Sequence, residues 1–127
     1  MAVTAGKFPD NLTISNKIDA SRRIKVKVLD DTGGFKTYMR RLAFDGTKSL
    51  IEVTLEKAAR HQVRAFAAYA GHSILGDKIY GAGEPHRLML HCKSYTINDK
   101  TILCEEKTTE FLRLYETGLG AASAVTS

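Results

Sequence analysis

The order of apolar and polar residues predicts three strands in the first half of the chain. Residues 24–29 (IKVKVL) alternate apolar side chains with lysines, and residues 49–56 (SLIEVTLE) show the same two-residue period. Such a period is typical of a strand with one buried face. Residues 35–44 supply a strand between them, and turn-forming residues at 30–34 (DDTGG) and 45–46 (Asp-Gly) separate the three. The pattern therefore predicts a three-stranded meander.

The period changes after residue 60, where the spacing becomes that of a helix. Val63, Phe66, Ala67 and Ala70 lie at positions i, i+3, i+4 and i+7, which places them on one apolar side. Gly71 follows and is a natural end for a helix.

The other side of this predicted helix is small and basic. His61 and Arg64 lie three residues apart, and Ala65 and Ala68 continue the same side with small side chains. We expect such a surface to let a large group approach the arginine closely.

The rest of the chain completes an α+β pattern. Residues 87–97 and 101–106 are predicted strands around a turn at 98–100, and residues 110–118 suit a short closing helix. The expected fold class is α+β, a mostly antiparallel mixed sheet with packed helices.

Length and charge set the broad class. The 127 residues fit one domain, expected over residues 1–118, and the small, polar residues 119–127 are expected to form a disordered tail. The formal net charge of +5 favours a polyanionic partner, nucleic acid before an anionic membrane. Lys25 and Lys27 alternate onto one strand face, which suits contacts with RNA phosphates.

Other partners and compartments have little support in the sequence. Cys92 and Cys104 form no CxxC pair or zinc-type cluster, so we expect reduced thiols, no metal and a cytoplasmic location, with a cross-strand disulfide as the weaker alternative. No apolar run approaches the roughly 18 residues of a membrane span, and the first residues lack the pattern of a secretory signal.

The stretch SLIEVTLEKAARHQVRAFAAYAGHSILGDKIYG, followed by RLMLH, resembles part of the RluA-type RNA pseudouridine synthases. In that family a strand ending in LxTGRxHQIR leads into a helix, then into GHPIxGDxxYG and RLxLH. The likeness covers roughly residues 24–118 and is best over residues 50–91. It identifies the chain as resembling the C-terminal half of the catalytic domain.

The resemblance implies a function and a set of site residues. The family binds RNA and converts a flipped uridine into pseudouridine without a cofactor or metal. Its nucleophilic aspartate is kept ionised by the arginine of HQIR, which aligns with Arg64. The motif's TGR is replaced by Lys57-Ala58-Ala59, with Arg60 one position later. The RNA-contact candidates are thus Lys25, Lys27, Lys57, Arg60, His61 and Gln62, although Gln62 also suits a structural role.

The family's aspartate motif, HRLDxxTSG, does not occur in this sequence. Residues 86–89 read HRLM, but their continuation identifies them as the RLxLH strand. The chain is therefore predicted to be a partial catalytic domain that is inactive alone and acts on rRNA or tRNA. Its other expected partner is the missing N-terminal half, a partner chain or a second copy, bound through an exposed sheet edge.

Several alternatives remain open. The chain could be a non-enzymatic RNA-binding module, or an interaction domain whose charge is incidental. Arg64 could be a solvated helix residue. Asp77 could be a nucleophile, but the resemblance favours a loop-fixing role, and Tyr80 is expected to pack rather than to stack on a base.

Overall fold

The structure, a computed structural model, describes residues 1–19, 21, 25–55 and 61–116. Its elements are strands β1 (Ala2–Ala5), β2 (Asn11–Asp19), β3 (Lys27–Phe44) and β4 (Lys48–Leu55), helix α1 (Gln62–Tyr69), strands β5 (Ser94–Ile97) and β6 (Lys100–Leu103), and helix α2 (Glu105–Glu116). The predicted α+β class is confirmed. The predicted tail at residues 119–127 lies outside the described residues.

A four-stranded antiparallel sheet in the order β1-β4-β3-β2 forms the centre of the fold. The meander consists of β2, β3 and β4, so the prediction that residues 30–34 form a turn between two strands is wrong: they lie inside β3. Ile14 pairs with Thr37 and Asn16 with Thr32, so a step of two residues on β2 matches a step of five on β3. The turn-forming residues thus accommodate bulges in one long strand instead of reversing the chain.

Strand β1 was not predicted. Its four residues are too few to show a period, and Ala2 and Val3 are both buried, so no alternation marks it. On the side away from β4, the backbone N–H of Val3 donates to Met89 O at 3.0 Å and its carbonyl accepts from Leu75 N at 2.9 Å. The predicted strand at residues 87–97 is therefore mostly an irregular extended segment that covers β1, and only β5 is regular.

The β5–β6 hairpin and α2 correct two predicted boundaries. Asn98 and Asp99 have φ angles of 50° and 65°, which suits a two-residue hairpin turn. The strand predicted at residues 101–106 stops at Leu103, and α2 begins at Glu105 instead of residue 110. Two glutamates in its first turn favour this earlier start because they complement the helix dipole.

Helix α1 agrees with the predicted apolar stripe. Phe66 and Ala67 are fully buried, Val63 and Ala70 are half-buried, and Gly71 follows with φ of 85°. Phe66 belongs to the same core cluster as Phe111 of α2. Burying a phenylalanine contributes about 1.5–3 kcal/mol, so these two rings help to fix both helices to the sheet.

Three chemical features bear on the sequence expectations. Cys92 is exposed and Cys104 half-buried, and both are free thiols. Among the described residues, no group of three or more His, Cys, Asp or Glu side chains is arranged to hold a metal ion. Neither described helix has the length and apolar character that crossing a membrane requires.

Candidate functional site

Arg64 and Asp77 form a two-bond ion pair between α1 and the loop that follows it. Nε of Arg64 donates to Oδ2 at 3.0 Å, and Nη2 donates to Oδ1 at 2.7 Å. The Asp77 side chain is fully buried, whereas Arg64 keeps 16% of its side chain exposed. Because both bonds lie along one edge of the planar guanidinium, the pair fixes the orientation of this group as well as neutralising its charge.

The local sequence explains how Asp77 reaches this position. Gly76 has φ of 80°, and a Cβ there would lie 2.1 Å from the carbonyl oxygen of Arg87, so only glycine fits. Asp77 Oδ1 also accepts hydrogen bonds from the backbone N–H groups of Ile79 at 3.0 Å and Tyr80 at 3.1 Å. These bonds close a turn around the carboxylate. They are the contacts that the loop-fixing interpretation of Asp77 requires.

The pair has shifted pKa values with identifiable causes. Burial acts to raise the pKa of Asp77, but the hydrogen bonds from Arg64, Tyr80 N and Ile79 N outweigh it and hold this pKa below its usual range. The hydrogen bond to Asp77 raises the pKa of Arg64, although partial burial acts in the opposite direction. Both groups are therefore ionised at neutral pH.

Tyr80 connects this ion pair to the two residues that precede β3. Arg64 Cζ lies 5.5 Å and Lys25 Nζ 5.4 Å from the centroid of the Tyr80 ring, distances at which a cation is attracted to an aromatic face. The Tyr80 hydroxyl accepts a hydrogen bond from Val26 N at 2.8 Å. Tyr80 thus packs against Arg64 of α1 and against the two residues that precede β3.

His61 lies next to Tyr80 at the start of α1. Its backbone is left-handed, with φ of 59°, a conformation that histidine adopts more often than most residues. Its ring meets the Tyr80 ring edge-on at 5.7 Å, and Nδ1 lies 3.1 Å from the Tyr80 hydroxyl. When Nδ1 carries no proton, the hydroxyl can donate to it while accepting from the backbone.

Gln62 is placed for a structural role. Only 3% of it is exposed, and Nε2 donates to Thr37 Oγ1 at 2.6 Å. This bond ties the first turn of α1 to β3 in the interior. The geometry favours the structural alternative for Gln62 over direct contact with RNA.

A cleft of about 410 Å³ lies between the beginning of β3 and α1. Its lining combines two lysines, two valines, two alanines and two tyrosines: Lys25, Val26, Lys27, Val28, Ala65, Ala68, Tyr69 and Tyr80. The structure thus brings the predicted lysine pair to the small side of the helix, and Tyr80 belongs both to this cleft and to the Arg64 cluster. Lys57 and Arg60 lie outside the described residues.

Comparisons with known proteins find similar sequences among RNA pseudouridine synthases. No protein-family model matches the chain. It is 36% identical over 92 residues to an uncharacterized RNA pseudouridine synthase from Chloroflexus aurantiacus, covering 71% of this chain and 28% of the relative. It is 34% identical over 76 residues to ribosomal large subunit pseudouridine synthase D from Zymomonas mobilis, covering 58% of this chain and 24% of the relative.

The fold is also similar to that of a solved protein. Human RNA pseudouridylate synthase domain containing 1 matches with a TM-score of 0.65 and 20% identity, over 80% of this chain and 50% of that protein. The chain is similar in sequence to part of the RluA-type RNA pseudouridine synthases and shares the fold of the human protein. It spans about a quarter of the length of the two curated relatives and half of the solved human chain.

The sequence pattern did not single out Tyr69, which lines the cleft. Tyr69, at the end of α1, is 51% exposed and lines the cleft. It lies four residues beyond Ala65 on the small side of the helix, and this spacing was the signal available in the sequence. Its proximity to Lys25 and Lys27 depends on how β3 packs against α1, which the sequence spacing does not give.

Proposed function

We propose that this chain forms the RNA-holding, arginine-bearing part of an RNA pseudouridine synthase that acts on uridine in rRNA or tRNA. The observation that carries this proposal is the guanidinium of Arg64, held by Asp77 beside Tyr80 and adjacent to a cleft with two lysines. The nucleophilic aspartate comes from outside these residues, and a cytoplasmic location is part of the same proposal.

The chemistry of the isomerisation defines what Arg64 has to do. The bond from C1′ to N1 of uridine breaks, a bond from C1′ to C5 forms, the hydrogen at C5 leaves as a proton, and N1 gains one. The attacking carboxylate has to stay ionised until it reacts, and a neighbouring cation favours that form. Within the described residues, Arg64 Nη1 has no hydrogen-bond partner, so a second carboxylate can bind there without displacing Asp77.

Asp77 itself is unsuited to be the nucleophile. Its side chain is fully buried. Oδ1 accepts bonds from Ile79 N, Tyr80 N and Arg64 Nη2, and Oδ2 accepts one from Arg64 Nε. A reacting sugar carbon would have to reach this buried carboxylate and displace at least one of these bonds. The chain alone is therefore expected to bind RNA without modifying it.

The test begins with tritium release from RNA that carries [5-³H]uridine, because loss of the C5 hydrogen reports the reaction directly. The chain alone should release no tritium and should bind RNA with an affinity that falls steeply as salt rises. If the chain alone released tritium and Arg64→Ala abolished that release, the proposal that the nucleophile lies outside these residues would be overturned. No salt-sensitive binding would overturn the RNA-holding role.

A chimera tests the catalytic part of the proposal. Residues 50–91 of this chain would replace the aligned segment of the Zymomonas mobilis enzyme, and the rest of that enzyme would be retained. The chimera should release tritium, and Arg64→Ala within it should lower the rate by at least about a hundredfold, as expected for losing one stabilising charge at a reaction centre. A folded chimera that binds RNA without Arg64-dependent release would instead favour the non-enzymatic RNA-binding module.

A further covering segment is part of this proposal. β2 is the outer strand of the four-stranded sheet, and the β5–β6 hairpin has every residue exposed. Unpaired edges and exposed apolar faces favour association. We propose that the N-terminal half of the catalytic domain, a partner chain or a second copy covers these elements.

A further inference from the structure

The cleft between β3 and α1 has the dimensions and surface of a nucleotide site. Its volume of about 410 Å³ falls within the roughly 300–1,000 Å³ of typical small-molecule pockets. Ala65, Ala68, Val26 and Val28 give it small apolar walls. A flat ring can enter such a space without displacing large side chains.

The two tyrosines of the cleft differ in the contacts that their rings make with other side chains. Tyr80 contacts the cations of Arg64 and Lys25 and bonds through its hydroxyl to Val26 N. Tyr69 is 51% exposed, and among the described residues no cation or aromatic ring packs on its face. The ring of Tyr69 is therefore available to a ligand.

Asn16 contacts Tyr69 at its hydroxyl and leaves the face of the ring uncovered. Its Nδ2 donates to Leu29 O at 2.7 Å and makes a longer bond of 3.4 Å to the Tyr69 hydroxyl. An exposed tyrosine restrained through its hydroxyl loses less side-chain freedom when a ring stacks on it. The arrangement presents a partly ordered aromatic platform to the cleft.

Charge at the cleft identifies the ligand class. Lys25 and Lys27 are both exposed at its rim, and the chain carries a net charge of +5. An aromatic platform combined with lysines is the combination that binds unpaired bases together with their phosphates. Tyr80 lines this cleft and also contacts Arg64, so a nucleotide here lies beside whatever Arg64 holds.

We propose that this cleft binds an unpaired nucleotide of the RNA next to the target uridine, with its base stacked on Tyr69 and its phosphates near Lys25 and Lys27. This inference rests on the proposed function, because it assigns Arg64 to the target nucleotide. Tyr69 is then a binding and specificity residue that favours flexible, single-stranded RNA around the target.

The test compares two labelled oligonucleotides of equal length and charge, a single-stranded oligouridylate and an abasic oligonucleotide, by fluorescence anisotropy. The wild-type chain should prefer the base-carrying RNA by about five- to tenfold, the lower part of the range for a base stacked on an aromatic side chain. Tyr69→Ala should remove this preference, whereas Tyr69→Phe, which keeps the ring, should retain it. Tyr69→Leu keeps apolar volume and should behave like Tyr69→Ala.

Control variants separate stacking from charge and from folding. Tyr95→Ala removes a similarly exposed tyrosine, 45% exposed, on the separate β5–β6 hairpin, and should leave the preference unchanged. Lys27→Gln should weaken binding of both oligonucleotides equally. Equal binding of both oligonucleotides by the wild type, or equal losses in Tyr69→Ala, would overturn the stacking site but leave RNA binding intact.

Two further outcomes have distinct meanings. If uridine monophosphate competes as strongly as the oligouridylate, the cleft is a free-nucleotide site and the assignment to RNA is overturned. If the wild type binds neither oligonucleotide, the proposed function fails together with this inference.

Discussion

The carboxylate of Asp77 holds Arg64 through two hydrogen bonds while it is itself completely buried. The same carboxylate closes the turn that contains Tyr80. One side chain therefore sets both the orientation of the candidate cation and the shape of the loop beside it. This double role makes Asp77 important for stability as well as for the site.

Replacement of Asp77 by Asn should lower the free energy of unfolding by about 3–5 kcal/mol, because it leaves a largely buried arginine without its counter-charge. Urea unfolding would measure the change. Asp10→Asn is the matched control, since the Asp10 side chain is 81% exposed in its pair with Arg41 and an exposed pair contributes about 0–1 kcal/mol. Equal losses in the two variants would contradict the structural importance of the buried pair.

The Arg64–Asp77 pair should make the free energy of unfolding depend on pH in the acidic range. The pKa of Asp77 is lower in the folded chain than its ordinary value, so its contribution is complete above the unfolded pKa of about 3.9 and is lost as the pH falls through the folded pKa. The difference in unfolding free energy between wild type and Asp77→Asn should be constant from neutral pH to about pH 5 and shrink below about pH 4. A difference that stays constant at lower pH would refute this linkage.

Two glycines with similar backbones should respond differently to alanine. Gly71 and Gly76 have φ of 85° and 80°, but of these two glycines only Gly76 has described atoms within 4 Å of the added Cβ. Gly71→Ala should cost about 1–2 kcal/mol of left-handed strain. Gly76→Ala should cost about 3 kcal/mol or more, because overlap with the carbonyl of Arg87 adds to that strain. Thermal or urea unfolding of both variants would check the order, and similar losses would count against the steric account.

The sequence predicted α1 and the position of Arg64 because their signals are local. The apolar stripe through Phe66 follows the 3.6-residue period, and Gly71 ends it. The pairing of Arg64 with Asp77 depends instead on how the following loop folds back. The pattern around HQVR indicated Arg64 as the candidate cation. The structure adds Asp77 as its ion-pair partner and Tyr69 as a residue of the neighbouring cleft.

Other parts of the fold were not predictable for identifiable reasons. The turn-forming residues at 30–34 are compatible with either a chain reversal or a β-bulge. Only the pairing of this segment with β2 determines which of the two forms. β1 is buried on both faces and has four residues, so it shows no period. The start of α2 at Glu105 follows directly after a strand, where helix and strand patterns overlap.

Gln62 and Lys27 should have opposite effects on stability and RNA binding. Gln62→Ala leaves the buried Thr37 hydroxyl without its donor, which should cost about 1–3 kcal/mol, while RNA affinity of the folded chain stays within about twofold. Lys27→Gln should leave stability within about 0.5 kcal/mol and reduce the slope of log affinity against log salt by about one.

Unfolding curves and salt titrations of RNA binding would test this pair of predictions. If Gln62→Ala reduced the salt slope as Lys27→Gln does, Gln62 would be a direct RNA contact. If neither variant changed the slope, Lys27 would be an ordinary solvated lysine.

Association should occur through the β5–β6 hairpin. Tyr95 pairs directly with Ile102, and Ile97 lies two residues beyond Tyr95, so the three side chains share one face. They are 45%, 47% and 59% exposed, an unusual density of apolar surface on a two-stranded sheet that is marginal by itself. Light scattering at increasing concentration should show the wild type self-associating, and Ile97→Lys should return it toward the monomer mass by placing a charge on that face.

The control for this prediction is Leu42→Lys, at a residue of β3 that is 39% exposed. A lysine there adds the same charge to a different surface, so the two variants separate a local effect from a general gain in solubility. If both reduced association equally, net charge would be the cause and the hairpin would have no special role. If the wild type stayed monomeric at all concentrations, a second copy would be ruled out as the covering segment, leaving the N-terminal half or a different partner chain.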